Sequence, residues 1–267
     1  MSGGTGADEV WTALRARTSA RIGLGRAGWG LPTRHRLELQ GALAEARDAV
    51  HAEFRPERVE GALRERGLPG AVRVRSAAAD RLTYLQRPDL GRRLADGEAE
   101  RLAEATRGGP WDVVLVVADG LSVRAVHAHA APLLGAVAAG LAADGTRVAP
   151  VVLASQARVA LGDEVAAAVR APLVAVLIGE RPGLSAADSL GVYLTLDPRP
   201  GRTVDAERNC VSNVRPPLGL SYEAAAHRLV DLMRRARRLG RTGVALKAAD
   251  DPPGGGAAQI PDSNAGR

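Results

Sequence analysis

An α/β protein, built on a doubly wound and mostly parallel sheet behind a mainly helical amino-terminal region, is what the sequence predicts. Three observations carry that expectation. The runs Val113–Val117 and Leu173–Ile178 are uninterruptedly apolar, too short for buried helices and right for strands covered on both faces. From residue 111 onward such runs alternate with apolar residues at helical spacing, the order that produces parallel strands joined by right-handed crossovers. Upstream, helical periodicities dominate, and Gly108-Gly109-Pro110 separates the two regimes. The expected division is a helical region over 1–108, a Rossmann-like α/β domain over 109–247, and a disordered tail over 248–267, which is rich in Gly and Pro and has no apolar period.

Taken in order, Ala7–Ala20 has a helical pattern with Val10, Trp11, Leu14 and Ile22 as apolar contacts. Next, Gly23, Gly25 and Gly28 match the GxGxxG spacing, and Asp48 lies roughly twenty residues on, as a dinucleotide fingerprint asks. The context opposes that reading. No apolar strand precedes Gly23, and Trp29-Gly30-Leu31-Pro32 stands where a helix should already run. A nucleotide-binding oxidoreductase using this loop is kept as the alternative, with a glycine-rich turn as the plainer account. Thr33 is placed as the N-cap of a helix carrying Leu37, Leu39, Leu43, Ala46 and Val50, and a second helix spans Pro56–Arg66 before Gly67. Ala71–Arg75 alternates as a strand does, and Asp89 is expected to cap one helix running through Leu90, Leu94 and Leu102.

Beyond the boundary, strand Val113–Val117 leads through Ala118–Ser122 into a helix over Val123–Ala143. Strand Arg147–Leu153, helix Glu164–Val169, strands Leu173–Ile178 and Gly191–Leu196, a helix capped by Ser221, and a short strand Val244–Leu246 complete the expected order. The first hundred residues have little of their own to bury, which predicts that they pack on something else.

Composition narrows the function. The chain has 267 residues, 46% of them hydrophobic but only 3% aromatic, so the core is expected to be Leu, Val, Ala and Ile. No segment has the ~20 consecutive apolar residues of a bilayer span, the first residues lack the features of a signal peptide, and one cysteine rules out an internal disulfide. These point to the cytoplasm and away from membranes. The net charge of +6 invites nucleic acid, but the basic residues are spread along the chain, so a diffuse basic surface is expected rather than a nucleic-acid partner.

Candidate chemistry gathers between Leu173 and Val214. Gly179-Glu180-Arg181-Pro182-Gly183 follows a buried strand at its carboxyl end, the edge where open α/β sheets bind ligands. Its glycines allow the backbone to approach a large flat ligand closely, although Glu180-Arg181 also reads as a surface ion pair of under ~1 kcal/mol. Asp119-Gly120-Leu121-Ser122 is either a helix-capping turn or a polar lip on the same crevice. His127 and His129 point about 200° apart on one helix and cannot share a metal, and Cys210 has no histidine nearby to activate it.

These residues sit within a wider pattern. ARIGLGRAG (20–28), YLQRPDLGRRL (84–94), VVADGLS (116–122), ARVALGDEV (157–165), LIGERPGLS (177–185), SLGVYLT (189–195) and ERNCVSN (207–213) make the chain resemble the small (light) subunit of ethanolamine ammonia-lyase. RPDLGRR, GERPG and RNCVSN in that order are specific to it. The resemblance implies a subunit that covers adenosylcobalamin at an interface with a large TIM-barrel subunit, in a multimer of large–small pairs. There, cobalt–carbon homolysis initiates the deamination of ethanolamine and related vicinal amino alcohols to acetaldehyde and ammonia. It further implies cobalamin contacts at Val159, Glu180 and Cys210, with Arg158, Arg181, Asp119 and Ser122 as weaker candidates by proximity. No catalytic acid or base and no side-chain metal site are implied, the cobalt being carried by cobalamin. The sequence has no D-x-H-x-x-G motif, which fits a cofactor bound base-on. Some relatives have an amino-terminal extension linked to packaging in a bacterial microcompartment. Little precedes the first helix here, so free cytoplasmic enzyme is the expectation.

Overall fold

The computed structural model of the protein describes residues 5–68 and 70–246; the tail expected over 248–267 lies outside the described residues. A first compact unit ends at Leu39 and a second runs from Gln40, so this division does not coincide with the boundary expected at 108. In the first unit, α1 (Thr5–Arg15) is followed by the glycine-rich loop, and helix resumes only with α2 (Thr33–His51), whose residues from Gln40 onward belong to the second unit. Gly23, Gly25 and Gly28 all have positive φ, from 59° to 72°. Arg15 Nη1 donates to the Gly23 carbonyl at 3.2 Å, and the Trp11 ring lies so close that a Cβ on Gly23 would come within 2.4 Å of it. The loop is therefore a turn folded against α1. With no strand before it among the described residues and no helix opening at its third glycine, since α2 starts only at Thr33, it lacks the parts that hold a pyrophosphate.

The second unit holds a six-stranded sheet in the order β1-β3-β2-β4-β5-β6. The strands are β1 (Ala71–Arg75), β2 (Val113–Ala118), β3 (Val151–Ser155), β4 (Leu173–Gly179), β5 (Leu190–Leu196) and β6 (Asn209–Val214). The first four in this order are mutually parallel; β5 is antiparallel to β4, and β6 to β5. The sheet is thus mixed: a parallel part of four strands with two antiparallel strands at one edge. The reason lies in the 180–189 connection, which carries no helix. A parallel return needs a crossover of a dozen or more residues, usually helical, whereas a shorter link reverses the chain. β6 was not expected, because NCVSNV has neither a continuous apolar run nor a strict alternation; at the sheet edge only Val211 and Val214 are buried.

Helices cover both faces. Val113, Leu115 and Val117 point into a core with α3 (Pro56–Arg64), α6 (Val123–Ala143) and α8 (Tyr222–Leu239). Val114, Val116 and Ala118 point into a second core with α5 (Glu98–Ala105) and α7 (Leu161–Val169). All six residues of β2 are buried, which explains its continuous apolar run. α6 has the length and hydropathy of a membrane span, but its Leu133, Leu134, Val137 and Leu141 are buried in the first core, and packing between sheet and α8 accounts for its apolarity. Three local elements differ from expectation. Leu90–Leu102 is broken at Gly97, which has φ 77°, into a 3₁₀ turn Leu90–Arg92 and α5. A further helix, α4 (Arg81–Gln86), is capped by the Asp80 side chain, which accepts from the Thr83 amide at 2.7 Å. Gly243–Ala245 is a 3₁₀ turn instead of a strand.

The exits of β2 and β4 touch backbone to backbone. The Leu121 amide donates to the Gly179 carbonyl at 2.9 Å, and a Cβ on Gly179 would fall 2.0 Å from the Ser122 carbonyl oxygen. Replacing Gly179 by alanine should therefore cost about 1–3 kcal/mol, the usual penalty of overpacking, read as a lower thermal midpoint. An unchanged midpoint would show that the β2 exit yields freely.

Candidate ligand-binding site

The carboxyl ends of β2, β3 and β4 open into one cleft of about 470 Å³. The chain leaves β2 towards α6 on one face of the sheet and leaves β3 towards α7 on the other, so the cleft lies beside two strand exits that diverge at the carboxyl rim, the edge where open α/β sheets commonly bind ligands. Its side-chain lining includes Tyr84, Arg158, Val159, Glu180, Arg181 and Tyr193. A larger depression of about 800 Å³ surrounds Gly108–Pro110 and Val169–Arg170, next to the amino ends of β2 and β4. It gathers none of the expected site residues.

Glu180 leaves the sheet at the end of β4 and bends across to β5 and β6. Its Oε2 accepts from the Ser189 hydroxyl and from the Asn213 amide at 3.3 Å, and its Oε1 accepts from the Ser212 hydroxyl. Gly191 keeps the space open, since a Cβ there would lie 2.8 Å from Oε1. The carboxylate is thus fixed by three neutral donors. It forms no ion pair with Arg181, so the surface-pair reading of Glu180-Arg181 does not hold among the described residues.

Cys210 on β6 stands opposite Tyr193 on β5. The residue is exposed, yet its sulfur is sheltered: partial burial pushes the thiol pKa up, the Tyr193 hydroxyl hydrogen bond opposes this, and Glu180 adds to the rise. Burial, with Cys210 beside it, likewise raises the Tyr193 phenol. A thiol held protonated is a contact rather than a nucleophile. Val159 and Glu180 therefore line one cleft directly, and Cys210 adjoins it through Tyr193.

Of the weaker candidates, Arg158 and Arg181 line the cleft, whereas Asp119 and Ser122 lie beneath it and are fully buried. Ser122 caps α6, accepting from the Ala125 amide at 3.2 Å and donating to the Ala187 carbonyl at 2.7 Å. Asp119 accepts the amides of Gly120 and Ala157 on Oδ1 and of Gln156 on Oδ2, at 3.0, 2.9 and 2.9 Å. Arg81 Nη1 stands 3.5 Å from Oδ2. Burial pushes the Asp119 carboxyl up to about 6, against the pull of those amides and of Arg81. It is a brace for the loops. The side of the cleft that sequence reasoning missed is Tyr84, fully buried between Arg81, 4.8 Å from its ring centre, and Arg158, 4.3 Å away. The only sequence signal for it was its position at the head of the 84–94 stretch.

The two histidines of α6 diverge. His127 stacks on Phe54 with 5.8 Å between ring centres, and His129 bonds the Tyr222 hydroxyl at 3.0 Å. Among the described residues no three His, Cys, Asp or Glu side chains converge on a metal position.

Fold and cleft together define an α/β protein with an open cleft on the carboxyl rim of a mixed sheet. The sequence profile of the family described as ethanolamine ammonia-lyase light chain (EutC) matches residues 8–247, and the chain belongs to this family. Similar relatives are ethanolamine ammonia-lyase small subunits. That of Ralstonia nicotianae is 54% identical over 91% of this chain and 90% of its own length. Those of Xanthomonas campestris pv. campestris and Azotobacter vinelandii are 54% and 55% identical, over 92% and 90% of this chain and 90% and 88% of their own. The resemblance drawn from the sequence motifs is borne out along nearly the whole chain, and the family is one of lyase subunits.

Proposed function

We propose that this chain is the small subunit of an adenosylcobalamin-dependent ethanolamine ammonia-lyase, that it holds one rim of the cofactor, bound base-on, in the cleft, and that a large subunit encloses the rest. The observation that carries the reading is identity above half with named small subunits over about nine-tenths of both chains.

The residues present fit one edge of such a ligand. A corrin carries neutral amide side chains around its rim, which need acceptors, donors and apolar contact. Glu180 is fixed by three donors and, as a carboxylate with about four lone-pair sites, can still accept from an amide. Val159 and Tyr193 supply apolar surface, and Arg158 has a buried Nε without a partner. A cleft of about 470 Å³ suits only part of a cofactor this large, so enclosure falls to the partner. When bound, adenosylcobalamin supplies a homolytically labile cobalt–carbon bond, the difficult chemistry in such enzymes. This chain's residues orient the rim and keep water from it. The first unit is read as a docking arm, since Val10, Leu14, Trp29, Leu31 and Leu37 are exposed and need covering.

The test is co-expression with a large subunit, followed by a visible absorption spectrum after adding adenosylcobalamin. Glu180→Gln should weaken cofactor retention about tenfold, the loss of one charge-assisted hydrogen bond, with assembly intact on size exclusion. If the complex dissociates instead, Glu180 serves assembly and not the cofactor.

A further inference from the structure

We propose that Arg158 is an anion-binding residue at the floor of the cleft, assisted by Arg181, and that the anion it takes is the phosphodiester of the cobalamin nucleotide. This rests on the cobalamin reading and deepens it by assigning one charged part of the ligand to one side chain.

The contrast between two arginines carries the inference. Arg81 and Arg158 both lie against the Tyr84 ring. Arg81 is matched in charge: Asp119 stands 3.5 Å away, and its Nε and Nη1 donate to the Val50 and Gly120 carbonyls at 2.7 and 2.8 Å, although its Nη2, like Arg158 Nε, is buried without a partner. Arg158 is not. Its guanidinium makes one long hydrogen bond, Nη2 to the Tyr84 carbonyl at 3.4 Å, and its Nε is buried with no partner. Among the described residues neither Arg158 nor Arg181 forms an ion pair. The one carboxylate lining the cleft, Glu180, is occupied by Ser189, Ser212 and Asn213. An unmatched cation in a sheltered place costs free energy unless a ligand supplies the counter-charge.

The side chain is also held in position before any ligand arrives. The Arg158 amide donates to the Gly91 carbonyl at 2.7 Å, and a Cβ on Gly91 would sit 3.0 Å from both Arg158 Cγ and the Tyr84 ring. The glycine of the Leu90–Arg92 turn therefore leaves room for the arginine stem to lie along the aromatic face. A planar, stacked guanidinium with free N–H groups is the arrangement that takes phosphate oxygens best. The rim amides of a corrin are neutral, so within cobalamin the phosphodiester is the group that answers this charge.

The test uses the co-expressed large–small complex and equilibrium binding read by visible absorption. The ligands are adenosylcobalamin, adenosylcobinamide phosphate and adenosylcobinamide, the last lacking the phosphate. Wild type should bind the two phosphate-bearing ligands more tightly. Arg158→Gln should remove about ten- to a hundredfold of that advantage, the range for a charge-assisted hydrogen bond, and leave adenosylcobinamide binding unchanged. Arg158→Lys should restore part of it, because the charge returns without the planar fork. Inorganic phosphate should compete with adenosylcobinamide phosphate in wild type and lose that effect in Arg158→Gln; equal competition in both would place the anion elsewhere and overturn the assignment. Equal weakening of all three ligands by Arg158→Gln would do the same while leaving the cobalamin reading standing, whereas no binding of any ligand to wild type would remove both. If Arg158→Gln does not assemble, the same comparison is decided on Arg158→Lys and Arg181→Gln.

Discussion

Asp119→Ala is expected to destabilise the subunit by about 3–5 kcal/mol, the cost of leaving several buried donors without their acceptor. The carboxylate accepts three backbone amides, of Gly120, Gln156 and Ala157, and faces Arg81. Alanine leaves three donors and a guanidinium without that acceptor, in a place with no exposed surface at Asp119. Gln156 is also held at φ 55°, a left-handed conformation unfavourable for a side-chain-bearing residue, and its amide is one of the three. Hydrogen exchange in the complex should show the Gln156 and Ala157 amides losing protection first; unchanged protection would mean that the brace is not Asp119. The pH dependence has a defined sign. Burial raises the carboxyl from an ordinary value of 3.8 to about 6, so the native state binds the extra proton between those values. The stabilisation this proton brings is complete below about 4 and lost as pH rises through 6. The penalty of Asp119→Ala should therefore be larger at pH 5 than at pH 7.5.

How much of this was legible in the sequence depends on which force decided each element. Strands β2 and β4 could be read from Val113–Val117 and Leu173–Ile178 because both faces are buried and hydrophobicity alone sets them. β6 could not, because Asn209–Val214 is an edge strand whose polar residues are allowed by its position in the sheet, a tertiary fact. Strand direction was missed where a short loop, not an apolar pattern, determines it. The site divides along the same line. Glycines at a strand exit and the flanking Glu180 marked the rim at which the cleft opens, and their spacing is local. The partners that fix Glu180 come from Ser189, Ser212 and Asn213, and the stack on Tyr84 joins α4 to the β3 exit. Such long-range pairings leave no period in a single sequence. Asp119 shows the converse: the sequence marked it as unusual, and the geometry assigns it to bracing the loops, not to facing a ligand.

Arg208→Met should cost a similar 3–5 kcal/mol, and its effect should reach the cleft. Arg208 Nη1 and Nη2 donate to the two oxygens of Asp163, each at 2.7 Å, and Nη1 also reaches Thr195 Oγ1 at 3.0 Å. Both side chains are almost inaccessible, at 3% and 2% exposure. Removing one partner strands a buried charge, while replacing both by apolar residues of similar volume need not. The double variant Arg208→Met with Asp163→Leu should therefore recover much of the stability lost in the single one, measured as urea midpoints of the complex; a double variant no better than the single would mean that the pair's value lies in its bonds to Thr195 and not in mutual neutralisation. The pair also joins two separated motifs. Arg208 precedes Cys210 at the start of β6, and Asp163 lies in α7 just after Val159, so this ion pair sets the distance between two of the expected cofactor contacts. Cofactor affinity should fall in Arg208→Met even where the complex stays folded. Should the double variant restore stability without restoring affinity, the fork itself, and not merely a filled core, holds the two sides of the cleft in register.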